Sequence, residues 1–71
     1  MMLNKLGLNK NGIISFVSAS SDIKRRLMDI GFNKGVKIKP ILEGSSMRAY
    51  SIKGSVIAVR KEDTSKIEVD V

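Results

Sequence analysis

The chain has 71 residues, with 13 lysines and arginines against seven acids, a formal net charge of +6, and neither cysteine nor histidine. Lacking both residue types, it can build no disulfide, no thiolate or imidazole zinc site and no histidine-based acid–base pair, and it suits a reducing compartment. This length means one domain, residues 1–71, whose core supplies no more than roughly 3–5 kcal/mol of net stability, so function belongs on the surface.

The first residues read MMLNKLGLNKNG, and Asn4, Lys5, Asn9 and Lys10 break any signal-peptide core. No apolar run approaches the roughly 18 residues of a membrane span, so a soluble, cytoplasmic chain without direct membrane insertion is expected. A first strand is expected over Gly12 to Val17, with Ile14 and Phe16 on one face and Ile13, Ser15 and Val17 on the other. Ser20 or Ser21 then caps a helix from about Asp22 to Ile30, with Asp22 at the positive end of its dipole. Ile23, Leu27 and Ile30 form its apolar line, and Asp22 and Arg26 make an acid-first i, i+4 pair.

Gly31 ends the helix in a left-handed turn, and Phe32 packs back onto Leu27 or its neighbours. Asn33, Lys34 and Gly35 turn the chain into a second strand, Val36 to Glu43, in which Pro40 marks an edge or a bulge. A third strand, Met47 to Lys53, carries Arg48, Tyr50 and Ile52 on one face. Gly54 with Ser55 forms a tight hairpin into Val56 to Val59, a near-continuous apolar run read as the most buried strand. Lys61 to Lys66 forms a single helical turn, and Ile67, Val69 and Val71 alternate on a last strand. Five strands and one helix in so short a chain close most economically into a small, strongly bent barrel.

The constellations argue against catalysis. The carboxylates Glu62 and Asp63 sit in a polar turn after Arg60 and Lys61, and Glu68 and Asp70 face away from Ile67 and Val69. No phosphate-loop, nucleophile-elbow or calcium-loop spacing occurs, so no catalytic residue, cofactor or metal ligand is assigned. Lys24, Arg25 and Arg26 on the helix, with Lys37 and Lys39 on a strand, could meet phosphates of single-stranded nucleic acid. Such barrels add a stacking platform of aromatics, and only Tyr50 is free for that role, so no stable nucleic-acid partner is expected. Met28 lies about a hundred degrees off the apolar line, where a flexible thioether suits the margin of a core or an adaptable interface.

Three patterns in order, Asn11-Gly12-Ile13-Ile14, the box RRLMDIGFNKG from Arg25 to Gly35, and AVRKEDTSKIEV from Ala58 to Val69, resemble the FeoA family of bacterial ferrous iron transport. The resemblance rests on Leu27, Ile30, Gly31, Phe32 and Gly35 in the box and on Ala58, Arg60, Ile67 and Val69 in the closing pattern. Two turn positions depart from it: Lys34 stands where proline is common and Thr64 where alanine is common. The resemblance implies an SH3-like barrel with an inserted helix. It also implies a non-enzymatic adaptor acting with the cytosolic G-protein part of the FeoB membrane transporter, which would recruit it to the inner face of the membrane. The outward residues Lys24, Arg25, Met28 and Lys34 are the expected docking surface. The alternative is a small basic barrel binding single-stranded nucleic acid.

Overall fold

The computed structural model describes residues 1–71. Five strands, β1 (Gly12–Val17), β2 (Lys37–Glu43), β3 (Met47–Ile52), β4 (Ser55–Arg60) and β5 (Ile67–Asp70), pair antiparallel in the order β4-β3-β2-β1-β5. Helix α1 (Ser21–Asp29) joins β1 to β2, and the one-turn α2 (Lys61–Thr64) joins β4 to β5. The sheet wraps around a core of 12 apolar side chains, among them Ile14, Leu27, Phe32, Ile38, Tyr50 and Ile67.

The corner after α1 forms as its glycine requires. Phe32 N–H donates to Leu27 O at 2.9 Å and Gly31 N–H to Met28 O at 3.1 Å, the two bonds of a Schellman turn. Gly31 has a φ of +115°, a conformation that an L side chain resists. Phe32 is fully buried, and its ring meets Tyr50 edge-on at 6.0 Å, which ties the corner to β3. Pro40 lies within β2 at a register shift, the expected bulge, and its carbonyl accepts from Asn9 N–H at 2.7 Å. Ile67 and Val69 are buried, with Glu68 and Asp70 outside, as alternation requires.

Other expectations need correction. A bulge in β1 between Ile14 and Phe16 breaks the alternation, so Val17 joins Ile14 inside and Phe16 is 55% exposed. Ile30 is the residue that caps α1, outside its last turn, and it is exposed rather than core. Ser20 is the N-cap, but neither it nor Ser21 makes a side-chain capping bond, and Asp22 and Arg26 form no ion pair. The run Val56 to Val59 buries only Val59, because β4 is a sheet edge with its outer face in solvent. The hairpin turn is Lys53–Gly54 rather than Gly54–Ser55. Both residues have positive φ (+49° and +81°), the mirror-image turn that suits the twist of paired strands.

The start of the chain is structural. Leu3–Lys5 form a 3₁₀ turn that buries Leu3, and Leu6 follows it inside. The buried guanidinium of Arg48 on β3 donates to Leu3 O at 3.2 Å and Leu6 O at 2.8 Å and lies 5.7 Å from the Tyr50 ring centre. Its Nε sits 2.8 Å from Glu43 Oε1, close as a charge pair but out of line for a hydrogen bond. The Lys61 ammonium bonds the other Glu43 oxygen at 3.3 Å. That hydrogen bond and the charges of Lys61 and Arg48 hold the Glu43 carboxyl below its usual range. Met1 and Val69 exchange backbone bonds, so the first residues cover the outer edge of β5.

Candidate docking surface

The bulge in β1 turns the Phe16 ring outward, toward α1. On that helix Lys24 and Met28 stand four residues apart and share one face. Together with Lys34 from the turn after α1, they enclose a groove of about 160 Å³ with Ile14, Val17 and Phe32 beneath. The Lys24 ammonium lies 5.9 Å from the Phe16 ring centre, within range of a cation–π contact. Phe16 and Met28 are 55% and 41% exposed, large apolar surfaces on one small patch. The lining holds two ammonium groups and no carboxylate.

Three of the four expected docking residues, Lys24, Met28 and Lys34, are therefore brought together. Arg25 is exposed on α1 but lies one residue step around the helix from the groove. Phe16 is the contributor that sequence reasoning assigned to strand packing. Only the bulge turns it out, and no residue in GIISFV signals a bulge. Of the other motif residues, Leu27, Gly31, Phe32 and Gly35 build the corner and Ile67 and Val69 the core. Ala58 and Arg60 lie on the solvent side of the edge strand, with Arg60 Nη1 3.4 Å from Glu62.

No group of three or more His, Cys, Asp or Glu side chains is placed to hold a metal ion. No helix is long and apolar enough to cross a membrane. Tyr50, the aromatic left for base stacking, is fully buried.

No curated protein matches the sequence. A family model described as the FeoA domain matches residues 1–71. The solution structure of FeoA from Chlorobium tepidum superposes with a TM-score of 0.92 at 25% identity, covering 100% of this chain and 70% of that one. Iron(II) transport protein A from Clostridium thermocellum gives 0.93 at 25% identity, over 100% of this chain and 45% of that one. FeoA from Stenotrophomonas maltophilia, solved with zinc and described as a prokaryotic SH3-domain protein, gives 0.83 at 24% identity, over 99% and 89%. With the Arg25–Gly35 corner, the five-stranded SH3-like barrel and a family match along its whole length, the chain belongs to the FeoA family of ferrous iron transport accessory proteins.

Proposed function

We propose that the protein is a non-enzymatic adaptor of ferrous iron uptake that docks on the cytosolic G-protein part of a FeoB-type transporter. The transporter holds it at the cytoplasmic face of the membrane. The observation behind this reading is the Phe16–Met28 groove, an apolar floor rimmed by the Lys24 and Lys34 ammonium groups. Such a site fits an apolar side chain flanked by carboxylates on the partner. Apolar area supplies affinity, and the two cations supply steering and register. Arg25, next to the groove on α1, adds to the steering. The neighbouring FeoA structure from Stenotrophomonas maltophilia is described as a candidate activating factor for ferrous iron transport, which agrees with an accessory role.

The test is binding of the full chain to the transporter's isolated cytosolic domain, measured by calorimetry. Phe16→Asp with Met28→Asp removes the exposed apolar pair without touching the core. Loss of roughly tenfold or more in affinity is expected, the worth of a central anchor. Unchanged affinity in a folded double variant would place the docking surface elsewhere, and no binding by the parent chain would remove the partner.

A further inference from the structure

A second concavity, sharing no residue with the docking groove, opens on the outer side of β2. It has a volume of about 540 Å³ and runs from Asn11, before β1, across β2 to the end of β3 and the hairpin turn. Lys37, Lys39 and Lys53 line it. Lys37 and Lys39 flank the buried Ile38 on β2 and so point away from the core. Ser51 pairs across the ladder with Lys39 and lines the cleft too.

Four features distinguish this cleft from a solvated basic face. The chain's ion pairs engage Arg48, Arg60 and Lys61 only, so none of the three cleft lysines has a carboxylate within 4.0 Å. None of the seven acids lines the cleft. The Asn11 amide and the Ser51 hydroxyl also line it, and neither side chain makes a hydrogen bond within the protein. Lys53 stands at a left-handed turn position, φ +49°, where asparagine or glycine costs less. The fold thus carries a cation at a position where its own turn favours a neutral residue.

We infer that this cleft is a binding site for a phosphate-chain anion, a di- or triphosphate group, held by Lys37, Lys39 and Lys53 with Asn11 and Ser51 as neutral donors. Lys37 and Lys39 leave the strand about 7 Å apart, so linked phosphates can present one oxyanion to each, whereas a lone phosphate would draw both stems inward. The lining has no aromatic side chain, so a nucleoside attached to the chain gains no stacking. The site is independent of transporter docking.

The experiment is a titration of isotope-labelled protein with sodium triphosphate at low salt, followed by amide NMR. Arms with adenosine triphosphate and with a short single-stranded RNA run beside it. Shifts should centre on Asn11, Lys37, Lys39, Ser51 and Lys53. Adenosine triphosphate should bind no more tightly than inorganic triphosphate, and tighter binding would overturn the assignment of affinity to the phosphates alone. Lys53→Asn keeps the turn and removes one charge. It should weaken binding about threefold to fivefold, the worth of one exposed charge contact, without lowering thermal stability. Lys37→Gln with Lys39→Gln should weaken it further, whereas Lys24→Gln with Lys34→Gln should leave it unchanged. Shifts spread evenly over all lysines, equal affinity in every variant, or RNA binding more tightly than triphosphate per phosphate would each overturn the proposal.

Discussion

Replacing Arg48 with methionine should come close to unfolding the protein. The guanidinium is 3% exposed and donates to Leu3 O, which also accepts from Leu6 N–H at 3.1 Å, and to Leu6 O, which has no other donor. A hydrogen bond from a charged group contributes about 1.5–3 kcal/mol, and a buried carbonyl left without a donor costs about 1–3 kcal/mol. Glu43 is nearly half exposed, so solvent screening leaves its ion pair a minor contribution. Methionine replaces much of the apolar stem, so packing loss is small. Two lost charged bonds, with Leu6 O alone left without a donor, then amount to about 3–5 kcal/mol, which matches the whole net stability expected of a core this small. Arg48→Lys keeps the charge but reaches one carbonyl at best, and should lose about half as much. Urea unfolding followed by circular dichroism measures both variants, with NMR of Leu3 and Leu6 reporting whether the first turn stays docked. An Arg48→Met protein within about 1 kcal/mol of the parent would show that the first turn is held by leucine burial alone, and the reasoning fails.

Two further outcomes are expected. Because Lys61 first and Arg48 second hold the Glu43 carboxyl below its ordinary value of 4.5, its contribution is present above that pH and lost as pH falls through the depressed folded value. Urea midpoints at pH 7 and pH 3 should therefore differ more for the parent than for Glu43→Gln, and parallel falls would contradict the linkage. At Gly31 an added Cβ would meet nothing nearer than Ile52 Cδ1 at 3.8 Å, so Gly31→Ala carries only the conformational cost of its positive φ. That cost is about 1–2 kcal/mol, read from the same urea midpoints, and a neutral result would mean that the corner tolerates another backbone path.

What could be read from the sequence was local. The order Leu27, Gly31, Phe32 specifies a Schellman turn within six residues, and alternation at Ile67 and Val69 specifies one face of a strand. The phase change at Pro40 has its cause in a missing N–H. Other features depend on partners distant in the chain. Val56 and Ala58 resemble a buried strand until the strand order puts β4 at the edge. Phe16 reaches the groove through a bulge that only pairing with β5 reveals. Alternation puts Arg48 on the face of Tyr50 and Ile52, yet its burial depends on two carbonyls more than forty residues away. The spacing of Leu3 and Leu6 at i, i+3 was the one available sign that the first residues are core. In the candidate docking surface, the i, i+4 relation of Lys24 and Met28 is visible in the sequence, whereas their meeting with Phe16 is not.

The bonds between Met1 and Val69 bring the two ends of the described chain side by side, with Val69 N–H donating to Met1 O at 2.7 Å. Topologically the described residues are nearly a ring, and their arrangement is defined by cyclic order more than by which residue comes first. A short linker between Val71 and Met1 would close that ring, and the exposed Lys53–Gly54 turn is a point at which it could be reopened while β3 and β4 remain paired. In such a circular permutant the first turn and β5 would become a continuous segment. The long-range closure that now joins β5 to the first turn and to β1 would become a local one, and the β3–β4 pairing, now a tight hairpin, would become the long-range closure in its place.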